Sequence, residues 1–433
     1  MLHKNLDINE KGHLTFAGLD TIELAKEFGT PAYLLDEDTI IENFKTYQFA
    51  MGKFFAKGSK PLFASKALCY SGIYRLINEL DGCIDVVSPG ELYCASKAGF
   101  NMENAFFHGS NKTNADISLA LEENIGYFVV DNAFELEEIN KQAENLGKKQ
   151  KILLRITPGI DPHTHAKINT GKVDSKFGAP IETGDAEALF LKAYESRNID
   201  VRGFHCHIGS QIFEIKPFSD AARIMLEFIS LLNKKYNFES EFLNLGGGFG
   251  VRYTKNDPKI NYEERIEKLS GEIRSHCEEL DIAQPKILME PGRSIVAAAG
   301  CTIYEVGSTK EIKGFKNYSS VDGGMTDNPR YALYESPYTC YLANRMNDDA
   351  NFTCTIAGRC CESGDIIQEN VDIPKPKRGD ILAVLCTGAY NYSMASNYNK
   401  VPRPPIIAIR NSKAKIAVRR ETYADLCALD SLD

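Results

Sequence analysis

The sequence predicts an α/β protein, in which a closed (β/α)8 TIM barrel is followed by a mostly-β domain. Up to Gly300, short apolar segments rich in β-branched side chains alternate with helical patterns, which is typical of parallel βαβ units. Eight such units fit a closed barrel of roughly 250 residues. Polar side chains follow many of these segments, as in barrels. An open doubly wound sheet is disfavoured, since no G-x-G-x-x-G follows the first strand.

The predicted barrel strands share an apolar composition, and the segments between them are long enough for a helix. The strands are expected at 60–65, 83–88, 105–109, 127–131, 151–157, 201–209, 242–248 and 286–290. Amphipathic patterns predict helices at 71–80, 91–98, 133–146, 184–196, 218–235 and 262–280. The sequence therefore assigns residues 38–300 to the barrel domain.

After Gly300 the alternation stops, and strand-like segments follow one another with turns and few helices. They lie at 302–306, 318–321, 352–357, 381–385, 405–410 and 415–420. The segment 31–36 precedes the barrel and is expected to join the same sheet. We therefore predict a β-rich domain, sandwich-like or barrel-like, formed by residues 1–37 and 301–433.

Composition limits the classes of function. The chain has 433 residues with 43% hydrophobic and 25% charged side chains, and a net charge of -9. That charge argues against nucleic acid and anionic membranes as partners. The 12 cysteines are irregularly spaced without a C-x-x-C pair, which favours a reducing cytoplasm and no metal site. We expect neither an N-terminal targeting segment nor an apolar run of about 18 residues.

A lysine ends the first predicted strand, in Lys60-Pro-Leu-Phe-Ala-Ser-Lys66. Lysine at a strand end is most often a solvated surface group. In a barrel, however, the carboxyl end of a strand faces the site, and desolvation lowers the pKa of an amine toward its nucleophilic form. Lys66 is therefore a candidate for a covalent bond to an aldehyde cofactor.

A glycine turn follows the seventh predicted strand, in Gly246-Gly247-Gly248-Phe-Gly250. Glycines let the backbone approach a phosphate and present N–H donors to it. Glycine-rich turns are common, but barrels often bind phosphate in the loops after strands seven and eight. Gly247 and Gly248 are therefore candidates for phosphate contacts.

Glu290-Pro-Gly292-Arg293 ends the eighth strand, and the sixth ends in His205-Cys-His207-Ile-Gly-Ser210. A buried glutamate needs a partner, which a protonated pyridine nitrogen would supply; an ion pair with Arg293 at the rim is the alternative. An imidazole can stack on a flat ring, and a serine hydroxyl can bind phosphate. His205 suits a satisfied core histidine better, although strand alternation puts it on the face of His207. Together with Lys66, these groups predict a pyridoxal phosphate (PLP) site.

Further candidates lie in the second domain. Cys361 and Glu362 stand in Cys-Cys-Glu between glycines; a thiol can protonate a carbanion and a carboxylate can bind an ammonium, although most single cysteines are structural. Arg330 could bind a carboxylate bidentately, but surface arginine is commoner. Tyr334 and Tyr390 lie in predicted loops.

These motifs together resemble the alanine-racemase-like, fold-type III PLP-dependent decarboxylases, and within them the branch that acts on meso-2,6-diaminopimelate. The resemblance extends from Pro31 to Leu426. The matching stretches are Phe63-Ala-Ser-Lys66-Ala, Asp85-Val-Val-Ser-Pro-Gly-Glu91, His108-Gly-Ser-Asn-Lys112, Thr170-Gly-Lys-Val-Asp-Ser-Lys-Phe-Gly178, His207-Ile-Gly-Ser210-Gln, Gly246–Gly250, Glu290–Arg293, Cys361-Glu362-Ser-Gly-Asp365 and Gly388-Ala-Tyr390 through Asn399.

The resemblance implies a role for each matching residue. Lys66 is similar to the PLP lysine, Cys361 to the proton donor, His207 to the ring-stacking residue and Glu290 to the pyridinium partner. Other implied cofactor contacts are Asp85, Ser210, Gly247, Gly248, Gly292, Arg293 and Tyr390. Implied substrate contacts are Arg293, Arg330, Tyr334, Glu362 and Tyr390. Cys361 and Glu362 would come from the partner subunit of a homodimer.

The activity that the resemblance implies is decarboxylation of meso-2,6-diaminopimelate to L-lysine and CO2. Phe63, Arg359 and Tyr331 depart from the family, which more often has Tyr, Pro and Pro there; the last two flank substrate-contacting positions. Two alternatives stay open: a decarboxylase for D-lysine, D-ornithine or carboxynorspermidine on the same scaffold, and a non-catalytic PLP-binding homologue.

Overall fold

The computed structural model describes residues 1–160 and 175–431, and the chain divides into two compact units. The barrel unit comprises Asn43–Gly250 and Ile260–Gly292, and the β unit comprises Met1–Glu42, Val251–Lys259 and Arg293–Asp433. The domain limits drawn from the sequence at residues 38 and 300 stay a prediction. Residues 170–174 of the family stretch 170–178 lie outside the described residues.

The β unit begins with a small antiparallel sheet and one capped helix. The first elements are β1 (Leu6–Ile8), β2 (Leu14–Phe16), β3 (Leu19–Asp20), α1 (Thr21–Phe28), β4 (Ala32–Asp36) and α2 (Glu37–Phe54), which leads into the barrel unit. The Asp20 carboxylate accepts a hydrogen bond from the Ile22 N–H and so caps α1. The helix ends at Gly29, whose φ of 73° suits glycine.

Eight parallel strands within the described residues close into the predicted barrel. They are β5 (Lys60–Ala64), β6 (Cys83–Val86), β7 (Ala105–Phe107), β8 (Tyr127–Val130), β9 (Gln150–Thr157), β11 (Ile199–His205), β12 (Phe242–Asn244) and β13 (Lys286–Met289). The short strand β10 (Ala179–Pro180) pairs in parallel with the end of β9. Closure occurs where Met289 of β13 pairs with Pro61 of β5. All eight predicted strands are confirmed, although several end earlier than expected.

Helices separate the barrel strands. They are α3 (Ser71–Glu79), α4 (Pro89–Lys97), α5 (Asn114–Glu122), α6 (Ala133–Asn145), α7 (Asp185–Glu195), α8 (Lys216–Tyr236) and α9 (Tyr262–Leu280). The six predicted helices are confirmed within a few residues. Helix α5 was not predicted; it begins with a capping box between Thr113 and Asp116.

The barrel interior is a packed core. One fully buried or nearly buried side chain from each of seven strands contributes to it: Leu62, Cys83, Phe106, Val129, Leu153, Phe242 and Leu288. The Phe106 and Tyr127 rings stack with centroids 4.4 Å apart. The interior is therefore filled by side chains, as the barrel geometry requires, and the polar groups described below lie beyond it along the strands.

The rest of the β unit is mostly strand. Its elements are α10 (Arg293–Val296), β14 (Gly300–Glu311), β15 (Asn317–Val321), α11 (Arg330–Tyr334), β16 (Cys340–Leu342), β17 (Phe352–Ala357), β18 (Ile366–Ile373), β19 (Ile381–Leu385), β20 (Ile406–Arg410) and β21 (Lys413–Val418). The sheet runs β18-β17-β15-β14-β4-β20-β21, while β19 also pairs with β14, and β16 pairs with β19. Because β4 pairs with β14 and β20, the predicted joining of segment 31–36 is confirmed.

Among the described residues, no helix combines the length and the apolar character that crossing a bilayer would require.

Candidate active site

Polar side chains gather at the carboxyl ends of the barrel strands, where barrels carry their sites. Lys66 follows β5 and His108 follows β7. His205 is the last residue of β11, Asn244 is the last of β12, and Glu290 follows β13 directly. Parallel strands bring these ends to one edge of the barrel, although the residues are far apart in the sequence.

Lys66 lies in a short 3₁₀ turn, Ser65–Ala67, directly after β5. Its side chain is exposed in this chain, so the desolvation expected from the sequence is not provided by the described residues alone. Its positive charge contributes to lowering the pKa of His207 and opposes the rise in the pKa of Asp85. The amine is therefore within electrostatic reach of two predicted cofactor contacts.

Asp85 ties the Lys66 turn to the next strand. It is buried in β6, and its carboxylate accepts a hydrogen bond from the Ser65 N–H at 3.2 Å. Burial, and then the negative charge of Glu290, raise the pKa of Asp85 well above its usual range. The carboxyl groups of Asp85 and Glu290 share one buried region, where two negative charges would repel each other. The site therefore favours a cation beside them.

The glycine turn after β12 is packed so closely that side chains cannot replace its hydrogens. A Cβ on Gly247 would lie 2.1 Å from the Glu290 carbonyl oxygen, and one on Gly248 would lie 2.4 Å from the Gly209 carbonyl oxygen. Gly248 also has a φ of 116°, a conformation that favours glycine. Close backbone packing therefore requires glycine at these positions, and the N–H groups of the turn stay candidates for phosphate contacts.

Gly292 has a similar role on the other side of Lys66. A Cβ there would lie 2.8 Å from the Ala64 Cβ and 2.9 Å from the Ala67 Cβ. The Glu290-Pro-Gly292 segment can therefore pack directly against the turn that carries Lys66.

Glu290 is a buried carboxylate surrounded by three side chains. Its Oε1 accepts a hydrogen bond from Asn244 Nδ2 at 2.7 Å and lies 3.0 Å from His108 Nε2. Its Oε2 lies 3.3 Å from His205 Nε2. Glu290 is therefore a buried carboxylate, and the alternative drawn from the sequence, an exposed ion pair at the rim, does not apply to it.

The electrostatics of this cluster favour an ionised glutamate. Burial acts to raise the pKa of Glu290, but His108 and His205 outweigh it and hold that pKa well below its usual range. Burial lowers the pKa of His108, and lowers that of His205 to about 4. Both imidazoles are thus neutral near pH 7. In that state the carboxylate is hydrogen-bonded by Asn244 Nδ2 and His205 Nε2, whereas His108 Nε2 lies close to Oε1 without a hydrogen bond among the described residues.

His207 lies beyond the end of β11, so strand alternation does not relate it to His205. Its side chain is half-buried, as is that of Ser210. Burial, and then the charge of Lys66, lower the pKa of His207 well below its usual range. A neutral, partly accessible imidazole suits stacking on a flat ring.

In the β unit, Arg293 begins α10 and is buried among aromatic rings. Its Nη1 donates a hydrogen bond to Tyr253 Oη at 2.8 Å, and its guanidinium lies 4.8 Å from the centroid of Tyr390. Tyr390 has a φ of 62°, which is uncommon for a non-glycine residue and often marks functional sites.

Arg330 is also buried, at the start of α11. It donates hydrogen bonds to Tyr338 Oη at 2.8 Å and Ser336 Oγ at 3.0 Å, and its guanidinium lies 4.8 Å from the centroid of Tyr253. No carboxylate of the described residues forms an ion pair with Arg330. A buried cation surrounded by hydroxyls and rings is a place for an anionic ligand. Tyr334, at the other end of α11, is half-buried.

Cys361 and Glu362 lie in an exposed loop of the β unit. The loop is ordered by buried Asp365, which accepts hydrogen bonds from the N–H groups of Met325 and Cys360, both at 2.6 Å. The Cys361 N–H donates to Asn399 Oδ1 at 2.8 Å. The thiol and the carboxylate are therefore presented outward from a fixed backbone.

Sequence reasoning missed three residues that surround Glu290. The sequence predicts no site role for His108 or Asn244, and it favours a core histidine at position 205. A signal was present, because each is a polar residue at the end of an apolar strand. What the sequence could not reveal is that all three side chains converge on one carboxylate.

The barrel-unit residues fit pyridoxal phosphate. The glycine turn admits no side chains, so what it can offer a phosphate is backbone N–H groups, and Lys66 offers an amine to an aldehyde carbon. The ionised Glu290 suits a pyridinium N–H, and neutral His207 suits the ring face.

Comparison with known proteins agrees with this class of site. Residues 37–297 match the family model described as "Pyridoxal-dependent decarboxylase, pyridoxal binding domain". The chain belongs to this family of PLP-dependent decarboxylases.

The relatives within the family are consistent. The chain is 43% identical over 431 residues to the diaminopimelate decarboxylase of Bacillus subtilis, covering 99% of this chain and 98% of the relative. It is 43% identical over 424 residues to that of Staphylococcus aureus, covering 98% and 99%. The crystal structure of diaminopimelate decarboxylase from M. jannaschii matches with a TM-score of 0.92 at 35% identity, covering 100% of this chain and 99% of the other.

Proposed function

We propose that the protein catalyses the PLP-dependent decarboxylation of meso-2,6-diaminopimelate to L-lysine and CO2. The observation that carries this proposal is Arg330, a buried guanidinium held by hydroxyls and rings with no carboxylate counterpart among the described residues. Relatives named diaminopimelate decarboxylase, matched over nearly the whole chain, support it. A solved relative in complex with L-lysine supports an amino acid as ligand.

The cofactor would be held mainly by the barrel unit. Bound PLP supplies the electron sink that makes loss of a carboxylate as CO2 feasible. The Lys66 amine would hold its aldehyde carbon, and His207 would cover the ring face. Ser210, Gly247, Gly248 and Arg293 would bind the phosphate.

Other residues fix the charge around the ring. Glu290 would hold a proton on the ring nitrogen, and buried Asp85, whose pKa is raised well above its usual range, would lie near Lys66. Gly292 and Tyr390 would also contact the cofactor.

Substrate selection follows from charge pairing. The far end of meso-2,6-diaminopimelate carries both a carboxylate and an ammonium group. Arg330, with Arg293 and Tyr334, binds that carboxylate, and Glu362 binds that ammonium. A buried ion pair that loses one partner costs about 3–5 kcal/mol, so a diamine-forming substrate without the distal carboxylate would leave Arg330 unpaired and bind weakly.

Cys361 delivers the proton to the carbon that has lost CO2. Its thiol lies in an exposed, backbone-anchored loop, which suits a residue contributed to another subunit. We therefore propose a homodimer in which each chain supplies Cys361 and Glu362 to the site of its partner. The irregularly spaced free cysteines support work in a reducing cytoplasm.

The test combines spectroscopy and CO2 release on the purified protein. We expect an absorbance near the visible edge that disappears in Lys66→Ala, and CO2 release with meso-2,6-diaminopimelate. Lys377→Ala, at an exposed lysine, is the matched control and should retain both. Colour in Lys66→Ala that survives dialysis would contradict the role of Lys66.

Arg330→Gln tests the substrate assignment. We expect it to raise KM for meso-2,6-diaminopimelate by more than about tenfold, since a charge-assisted bond to the carboxylate is lost. The control is Arg378→Gln at an exposed arginine. Faster turnover of D-lysine than of meso-2,6-diaminopimelate by the unaltered enzyme would overturn the proposal.

A further inference from the structure

We propose that His205 and Asn244, with His108 beside them, are positioning residues that keep Glu290 anionic and oriented, so that the ring nitrogen of the bound cofactor stays protonated. This inference rests on the proposed cofactor site and assigns a task to three residues outside it. None of the three is proposed to contact the substrate.

Both oxygens of the Glu290 carboxylate have polar neighbours. Asn244 Nδ2 donates to Oε1 at 2.7 Å, and His205 Nε2 lies 3.3 Å from Oε2. His108 Nε2 approaches Oε1 to 3.0 Å. Since Asn244 and His205 fix different oxygens, rotation of the carboxylate would break at least one of these contacts.

The backbone makes this arrangement rigid. His205 and Asn244 are direct partners in the parallel pair of β11 and β12. The Glu290 N–H donates to the Gly246 carbonyl at 2.8 Å, and the Gly246 N–H donates to Asn244 Oδ1 at 2.9 Å. Asn244 therefore contacts both the side chain of Glu290 and the turn that holds its backbone.

The His205 ring is suited to donate without becoming a cation. Its Nδ1 is buried and has no hydrogen-bond partner among the described residues. A proton on Nδ1 would be left unsatisfied, so the neutral form with hydrogen on Nε2 is favoured. Burial also lowers the pKa of His205, which favours the neutral ring as well.

Neutral donors have a particular consequence for Glu290. An arginine or lysine would neutralise the carboxylate, whereas imidazole and amide N–H groups stabilise it and leave its charge for a cation. The titratable groups nearby are Lys66, which is exposed, Asp85, whose pKa burial raises well above its usual range, and Arg155, whose Nε lies 4.0 Å from Asp131 Oδ1. The protonated ring nitrogen is then the cation that fits this carboxylate.

The test follows the ring nitrogen itself. Enzyme loaded with PLP labelled with ¹⁵N in the ring is measured by NMR across the pH range in which the protein is folded. In the unaltered enzyme we expect the resonance of a protonated nitrogen throughout. His205→Phe should shift it toward the unprotonated position as the pH rises, and His205→Gln, which restores an N–H donor, should return it.

Turnover gives a second measurement. Loss of one hydrogen bond to a charged group corresponds to roughly 10- to 100-fold in kcat, and we expect this loss in His205→Phe with KM nearly unchanged. Asn244→Leu provides an independent variant if His205→Phe fails to fold. His276→Phe, on α9 far along the chain and paired with Glu279, is the matched control and should change neither measurement.

The outcomes separate the inference from the proposed function. If the unaltered protein takes up no PLP, the proposed function fails. If it binds PLP with a protonated nitrogen and both His205→Phe and Asn244→Leu keep that resonance at every pH, the positioning role is wrong. A shifted resonance in either variant, absent in His276→Phe, supports it.

Discussion

Lys112→Met is expected to destabilise the barrel unit by about 3–5 kcal/mol, because it would leave Glu135 buried without its cation. Lys112 Nζ lies 2.8 Å from Glu135 Oε1, and both side chains are only 2% exposed. The ammonium also donates to the carbonyls of Gly109 and Val129, each at 3.0 Å. All three donor positions of the ammonium are therefore used, and water cannot replace them.

A second substitution separates the two contributions to this loss of stability, the buried charge of Glu135 and the unpaired carbonyls. Adding Glu135→Leu to Lys112→Met removes the buried charge and should recover most of its cost. What stays is the loss of the donor to two buried carbonyls, a minor part of the total of about 3–5 kcal/mol. The double variant should therefore be more stable than the single variant, although it has lost more polar groups.

The assay is urea unfolding followed by circular dichroism, with the free energy of unfolding taken from the linear region. Lys141→Met is the control, because its partner Glu138 lies 3.7 Å away and Lys141 is 69% exposed; we expect a change of less than about 1 kcal/mol. The reasoning is refuted if Lys112→Met loses less than that, or if Glu135→Leu adds a further full penalty in the Lys112→Met background.

Three further predictions concern the β unit. Gly388→Ala should destabilise it by about 1–3 kcal/mol or more, because the new Cβ would lie 1.9 Å from the Val296 carbonyl oxygen; thermal unfolding measures this. Burial raises the pKa of Asp327 to about 7, so the folded state binds more protons than the unfolded state between about pH 4 and 7. The free energy of unfolding should fall as the pH rises through that window, and it should fall less in Asp327→Asn. Unfolding measured at pH values on either side of the window checks this. Cys361→Ala should bind PLP normally but turn over more slowly; unchanged turnover would remove Cys361 from the mechanism.

The barrel could be predicted because its signal is local. Each strand is an apolar run and each helix has its own periodicity and cap, as with Ser88, whose side chain accepts a hydrogen bond from the Glu91 N–H at the start of α4. Helix α5 was missed, since its capping box at Thr113 precedes a short segment with weak apolar periodicity. In the β unit, β16 was missed because it pairs with β19, which is distant in sequence. Strand β18 was missed although it pairs with β17, the strand directly before it.

The candidate site was predicted in part for a similar reason. Motifs that match a known family indicate Lys66 and Glu290 as candidates without any knowledge of packing. The environment of each residue was less predictable: Lys66 is exposed in the described chain, whereas desolvation was expected. Burial and hydrogen-bond partners arise from tertiary contacts, which residue spacing does not encode.

The cluster around Glu290 illustrates why strand register, rather than residue identity, completes the site. In β11 and β12 His205 pairs with Asn244, and in β12 and β13 Asn244 pairs with Leu288. Glu290 lies two residues beyond Leu288, and residues two apart along an extended chain point to the same side. A slip of one residue in either pair would direct a donor to the opposite face of the barrel. The same amino acids would then be present without forming the cluster, so the chemistry depends on a register that only the packed core of the barrel specifies.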